Sequence, residues 1–409
     1  MRLLFLSRWF PYPADNGAKL RVLNLLRQLA AWHTVHLISF TSEPVSSEGW
    51  AALRALCQQV DTVQYRPFQP WTRRALAGLF DARPRSVLAT HSPDLTALVQ
   101  RAAREYSFDI VLASEIDMAP YALEVDASAR VLEELEITTV HEQFQLARGL
   151  ARRLRAGLTW WKLKRYVRGL LTTFDLCTVV SERERETVAR LAPAGAVVEV
   201  VPNGVDLTGY QIGLAKPVPD TLIYSGALTY AANLDAVVYF LNEIFPRIQA
   251  ARPGIQLTVT GRLEGVALGR LPSIPGVTYS GYVPDIRPVI AGHWASVVPL
   301  RIGGGTRLKI LEALALGTPV IATRKGAEGL ELIPGRDVLI ADTPAEFTEA
   351  TVSLLADPVL RDRLARHGRA IVAERYDWAT IGRQFADRLA ELPAAAGASR
   401  ATLLRRLAG

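Results

Sequence analysis

The residues best suited to chemistry lie in PLRIGGGTRLKILEALALGTPVIAT (299–323). An apolar strand there runs into Gly303, Gly304 and Gly305, then into a helix expected to start near Thr306, then through Gly317 into another strand. Glycines at a strand-to-helix junction let the backbone approach a ligand closely, and the helix N-terminus presents unpaired N–H groups and a positive dipole to an anion. A diphosphate suits such a cradle. Lys309 and Glu312 stand three residues apart, so they project from one helical face. A cation one turn into the helix can neutralise a phosphate, and a carboxylate beside it can accept hydrogen bonds from the two hydroxyls of a ribose. Arg307 is the other cation at hand. The alternative is a glycine-rich turn with a solvated Lys–Glu pair.

Two further acidic features ask for a role. Glu115 closes the apolar run DIVLAS, where it either reaches an acceptor hydroxyl or caps the next helix, the cap being the better reading. Glu133, Glu134 and Glu136 form a run that alternation along a strand splits between two faces, so a solvated strand end is expected and no metal site.

The elements that must position these groups follow from periodicity. Apolar runs at 3–7, 35–40, 60–65, 109–114, 130–134, 176–181 and 197–202, then at 221–226, 255–261, 277–281, 295–300, 319–323 and 337–341, alternate with amphipathic stretches of helical length. That alternation implies βαβ units and two parallel sheets, an α/β fold of two Rossmann-like domains. The expected divisions are an N-terminal domain 1–205, a linker 206–220 rich in Gly and Pro, a second domain 221–372, a helix 373–393 and a mobile Ala- and Arg-rich tail 394–409. Thr343 and Glu346 have the spacing of a capping box.

Composition narrows the class. A chain of 409 residues with 49% hydrophobic and 21% charged content can bury two cores. Cys57 and Cys177 lack metal-ligand spacing and read as small core residues, which makes the cytoplasm the expected compartment. The formal charge of +7 is local: residues 145–174 hold Arg148, Arg152, Arg153, Arg155, Lys162, Lys164, Arg165 and Arg168 and no acid, with Trp160 and Trp161 among them. Arg66, Arg73, Arg74, Arg83 and Arg85, with Phe68 and Trp71, make a second patch. Cations mixed with aromatics suit an anionic membrane surface as well as a phosphate backbone, or else mark a solvated helix face; the partner expected is an anionic membrane surface through 148–168, with no nucleic acid.

The segment 299–323 resembles the donor-binding signature of the family 4 retaining glycosyltransferases, and the likeness extends along nearly the whole chain. PYPADNGAKLR (11–21) is similar to the family's first glycine loop, VVSERERETV (179–188) and VVPNGVD (200–206) to its approach to the hinge, and LIYSGALTYAANLDA (222–236) to the opening of its donor domain. VTYSGYVPDI (277–286) resembles the loop whose backbone reads the base, and ERYDWATIGRQFADRL (374–389) the closing helix that crosses back to the first domain. The resemblance implies two facing Rossmann-like domains (the GT-B architecture) and sugar transfer from a UDP- or GDP-sugar to a glycan or lipid-linked acceptor. Retention at the anomeric carbon, no obligatory metal and no cofactor are also implied. By position, Glu312 would hold the ribose. Gly17, Gly226, Gly304, Gly305 and Thr306 would lie along the donor, and Tyr282 and Val283 at the base.

Several positions depart from the family pattern. Gly304 stands where many members carry an acid, Ala227 and Asn233 where they carry an arginine and a lysine, and Leu135 where they carry a histidine. His141, six residues on, reads as a surface histidine. Lys309 and Arg307 are therefore the expected catalytic cations, stabilising the departing diphosphate. Two rival readings remain: a non-catalytic sugar-nucleotide binder or scaffold, and a nucleotide-sugar epimerase or phosphorylase on the same fold.

Overall fold

The computed structural model describes residues 1–66, 81–266 and 271–407, with side chains as far as Pro393. The chain divides into two compact units, Met1–Pro202 with Ile381–Gly409, and Asn203–Thr380. Of the second basic patch, Phe68, Trp71, Arg73 and Arg74 lie outside the described residues.

The first unit carries β1 (Arg2–Ser7), β2 (Thr34–Thr41), β3 (Gln59–Gln64), β4 (Phe108–Ser114), β5 (Ala127–Glu133), β6 (Leu176–Val179) and β7 (Val198–Val200). They pair in parallel in the order β3-β2-β1-β4-β5-β6-β7. The second unit carries β8 (Val218–Ser225), β9 (Gln256–Thr260), β10 (Val277–Gly281), β11 (His293–Val298), β12 (Val320–Ala322) and β13 (Leu339–Ile340), parallel in the order β10-β9-β8-β11-β12-β13. Every strand expected from the apolar runs is present, β10 at its expected bounds and the others with shifted ends. Helices flank each sheet, so central strands such as β1 and β4 read as nearly continuous apolar runs, buried except at Arg2 and Asp109.

Both sheets have the doubly wound order, in which successive strands move outward from the centre and then restart on the other side. Loops at the carboxyl ends of the two strands flanking that reversal part to leave a crevice, the usual ligand position in such sheets. The reversal falls between β1 and β4 in the first unit and between β8 and β11 in the second.

Helix starts follow the side chains available to cap them. Asn16 accepts from Lys19 N at the start of Gly17–Ala30, and Thr343 and Glu346 form the expected reciprocal box at Pro344–Ala356. The last helix, Trp378–Leu407, passes through Pro393, so the stretch expected as a tail is helical as far as Leu407. Cys57 and Cys177 are buried, and burial pushes both thiols up to about 12.

Candidate active site

In the second unit the loops after β8 and β11 meet at the crevice. Lys309, in the helix Leu308–Ala315, extends its ammonium back to β8: Nζ donates to Tyr224 Oη at 3.0 Å and to Asn233 Oδ1 at 2.8 Å. The same ammonium lies over the Tyr224 ring, 4.3 Å from its centroid. Gly226 makes room for it. A Cβ there would stand 2.7 Å from Nζ, and the backbone has φ +153°. Burial, reinforced by the nearby Arg307 guanidinium, pulls Lys309 down to about 7. An anion entering the crevice would reverse that shift, because it favours the charged amine.

The glycine loop is held from below by Arg307. Its guanidinium donates to the carbonyls of Gly304 (3.0 Å), Gly303 (2.9 Å) and Lys325 (3.1 Å) and lies 3.9 Å from the Glu328 carboxylate. With three hydrogen bonds to main-chain carbonyls, two of them in the loop, and only 5% of its surface exposed, Arg307 shapes the cradle. Gly303, at φ +101°, has Ala232 Cβ only 2.9 Å from where its own Cβ would stand. Around Gly305 and Gly17, by contrast, a Cβ would meet nothing within 4 Å, so open space lies above both. Among the described residues no protein acceptor meets the amides of Gly303, Gly304 and Gly305. The helix itself begins at Leu308, two residues later than expected, because Thr306 is part of the loop: its hydroxyl accepts from Asn203 Nδ2 at 2.7 Å.

Glu312 accepts from the Tyr210 hydroxyl at 2.8 Å. Burial raises the carboxyl, while that hydrogen bond and Lys309 lower it. Lys309 and Glu312 therefore share a helical face but turn to different partners, one towards β8 and one towards the 206–217 segment. Tyr282 and Val283 follow β10 at the same carboxyl edge of the sheet. Tyr282 is exposed, with the Arg262 guanidinium 5.4 Å from its ring centroid.

The crevice of the first unit is acidic. Arg8, just past β1, sets Nη1 2.6 Å from Asp117 Oδ2 and 3.7 Å from Glu115 Oε2, and Trp9 Nε1 donates to Glu115 Oε1 at 2.7 Å. Glu115 follows β4 at φ +69° and does not cap the next helix, Ala119–Ala122, which has no side-chain cap; the capping reading is corrected. Burial lifts its carboxyl to about 7. A neighbouring cavity of ≈ 250 Å³ is lined by Trp9, Tyr12, Lys19, Glu43 and Tyr65 among others.

The acidic run is a solvated strand end only at Glu136, which is exposed. Glu133 is fully buried, taking Arg21 Nε at 2.7 Å and Ser114 Oγ at 2.9 Å, and Glu134 turns to φ +59° with its carboxyl raised well above the usual range by burial. Leu135 is a core residue. His141 is half-exposed and stacks on Trp160 with ring centroids 4.7 Å apart, so it is a surface histidine as expected, held by a ring neighbour.

Sequence reasoning missed Tyr210, Tyr224 and Asn203. Asn203 had a signal in the PNG turn, and Tyr224 in its place near the end of β8. Tyr210, in an aperiodic segment, had none.

Known proteins agree with this arrangement. The family described as Glycosyltransferase Family 4 matches residues 15–208, and that described as Glycosyl transferases group 1 matches residues 219–357. A 44.6 kDa protein of the cps region of Klebsiella pneumoniae is 19% identical over 92% of this chain and 96% of its own length. A GDP-mannose-dependent monoacylated alpha-(1-6)-phosphatidylinositol monomannoside mannosyltransferase of Corynebacterium glutamicum is 24% identical over 76% of this chain and 93% of its own. Among solved structures, Anabaena HepE in complex with UDP and glucose superposes with a TM-score of 0.66 at 17% identity, covering 96% of this chain and 100% of that one. Sucrose-phosphate synthase of Thermosynechococcus elongatus gives 0.66 at 20% identity over 97% and 100%. With two doubly wound parallel sheets and family matches over most of its length, this chain belongs to the family 4 glycosyltransferases of the GT-B fold.

Proposed function

We propose that this glycosyltransferase moves a sugar, with retention at the anomeric carbon and without an obligatory metal, from a UDP- or GDP-sugar to a glycan or lipid-linked acceptor in cell-surface glycoconjugate synthesis. The observation that carries this reading is the Lys309 ammonium, held by Tyr224 and Asn233 beside Gly226. It supplies a cation to the diphosphate at the crevice of a doubly wound sheet. The unpaired amides of Gly303, Gly304 and Gly305 add donors, and Glu312 takes the ribose hydroxyls. As the bond from anomeric carbon to diphosphate oxygen breaks, charge builds on the leaving group, where fixed donors lower the barrier most. UDP in the HepE complex and the cps-region relative support the donor class and the biosynthetic setting.

Thermal unfolding with UDP, GDP and their sugars is the first test, since a ligand of the native state raises stability in proportion to RT ln(1 + [L]/Kd). The stabilising donor is then incubated with candidate acceptors in excess chelator and the product's anomeric configuration read by NMR. An inverted product, or transfer lost in chelator, rejects the corresponding part of the reading. Absence of any nucleotide-dependent shift rejects the whole.

A further inference from the structure

The helix Leu150–Thr173 turns two different apolar faces in two directions. Towards its C-terminal half, Leu163, Val167, Leu170 and Leu171 are buried in the core of the first unit. Towards its N-terminal half, Leu150, Leu154, Leu158 and Trp161 are 78%, 65%, 49% and 48% exposed, and Leu146 just before the helix is 77% exposed. At about 100° per residue the four exposed residues of the helix fall within an arc of roughly 80°, on the side away from the buried set. Trp160 and Trp161 part company: Trp160 packs inward on His141, while Trp161 joins the outer stripe, with the Arg165 guanidinium 6.0 Å from its ring centroid.

Cations frame this stripe. On the same helical projection Arg155 and Lys162 lie along one border, Arg153 and Lys164 along the other, and Arg165 and Arg168 continue the stripe itself towards the C-terminus. No acidic residue occurs between 145 and 174. Four large apolar side chains held in water are costly, and a solvated helix face gives no reason for them. A nucleic-acid backbone matches the cations but not the leucines. A bilayer surface matches both, because an interfacial helix sinks its apolar side to the level of the acyl chains while the flanking Lys and Arg reach anionic headgroups.

We propose that the outer face of Leu150–Thr173, through Leu150, Leu154, Leu158 and Trp161 flanked by Arg153, Arg155, Lys164 and Arg165, docks this protein on an anionic lipid surface. The attachment is reversible, and among the described residues no helix is long and apolar enough to cross a membrane. It is independent of the donor site and is tested without any sugar nucleotide.

Flotation of the full chain is measured with equimolar phosphatidylglycerol–phosphatidylcholine vesicles and with pure phosphatidylcholine. The expected result is recovery on the anionic vesicles alone, weakening as salt rises. A variant with Leu150, Leu154, Leu158 and Trp161 changed to Ser, and another with Arg153, Arg155, Lys164 and Arg165 changed to Gln, should each lose at least roughly tenfold in partition. Circular dichroism and thermal unfolding of both should match the parent, since these side chains lie outside the core. Equal recovery on the two vesicle types, no recovery on either, or full recovery of the Ser variant overturns the proposal. So does a concentration-dependent dimer that the Ser variant abolishes while vesicles recover nothing, which would assign the stripe to a second copy of the chain.

Discussion

Lys309 Nζ stands 2.8 Å from Asn233 Oδ1, so a cation rooted in one helix occupies the neighbourhood of a residue 76 positions away. The family resemblance expects a lysine at 233 itself. A charge needed at one point in space can be supplied from either element, provided that the donating side chain is held as firmly. Tyr224 and Asn233 do the holding.

Removing that cation should therefore depress turnover more than binding. Lys309→Gln is expected to lose roughly 10²-fold in kcat, the scale for one preorganised donor to a developing charge, with a much smaller change in donor Kd. Asn233→Lys in the Lys309→Gln background should recover most of the rate. Arg307→Ala should instead lower the unfolding midpoint, because three carbonyls lose their donor. Full-rate Lys309→Gln enzyme beside a stable but inactive Arg307→Ala one would exchange the two roles.

Lys309 is pulled down to about 7 by burial and Arg307, with Glu312 opposing, so donor binding at this amine is expected to be proton-linked. Above pH 7 the free protein holds Lys309 increasingly neutral, and a bound diphosphate restores the charge, so binding takes up a proton. Affinity should be flat below pH 7 and fall by up to about tenfold per pH unit above it. Calorimetry in two buffers of different ionisation enthalpy measures the uptake, and Lys309→Met should abolish it. Uptake that survives in Lys309→Met would move the titration to another group.

The central strands were legible because they are nearly continuous buried apolar runs bounded by turns. The glycine loop was legible because three consecutive glycines at a strand-to-helix junction leave the backbone free of Cβ atoms where a ligand could approach. What periodicity cannot carry is the choice of partner across the fold. Lys309 and Glu312 share a helical face on paper, yet one meets Tyr224 and the other Tyr210, both far off in sequence. The pattern places a helix start near Thr306 because nothing in its neighbours announces that Asn203 engages its hydroxyl and keeps it in the loop. Glu115 was correctly put at the end of a strand, but its left-handed backbone, which turns it away from the next helix, is a property of the crevice and leaves no trace in composition.

Glu312 acts in ground and transition states alike if it holds the ribose, so its loss should appear in KM with kcat nearly kept. Glu312→Ala is expected to lose roughly 1.5–3 kcal/mol of nucleotide affinity, the range for hydrogen bonds to a charged group. Tyr210→Phe, which removes only the hydroxyl that steadies the carboxylate, should lose about 0.5–1.5 kcal/mol. Because the two act through one contact, the double variant should be no weaker than Glu312→Ala. Unchanged affinity in a folded Glu312→Ala protein would show the ribose assignment to be wrong.

Glu115 is the clearest titrating group of the first unit's crevice. Desolvation raises its carboxyl from 4.5 to about 7, against the pull of Arg8 and the Trp9 indole. A carboxyl whose folded value lies above its unfolded one keeps its proton in the native state while the unfolded chain releases it. Its contribution is full below pH 4.5 and is lost as pH rises through about 7. Glu115→Gln retains a carbonyl oxygen for the indole and removes the ionisation, so above pH 7 it should be more stable than the parent. The gain is on the order of 1–2 kcal/mol after allowance for partial solvent access. Below pH 4.5 the two proteins should unfold together. Urea denaturation at pH 4 and pH 8 tests this, and equal differences at both pH values would mean that Glu115 titrates like an ordinary surface acid. The same variant probes the crevice's chemistry: if the Glu115 carboxylate receives an acceptor hydroxyl, Glu115→Gln should flatten the rise of kcat/KM for the acceptor near pH 7 and leave nucleotide affinity in the second unit untouched.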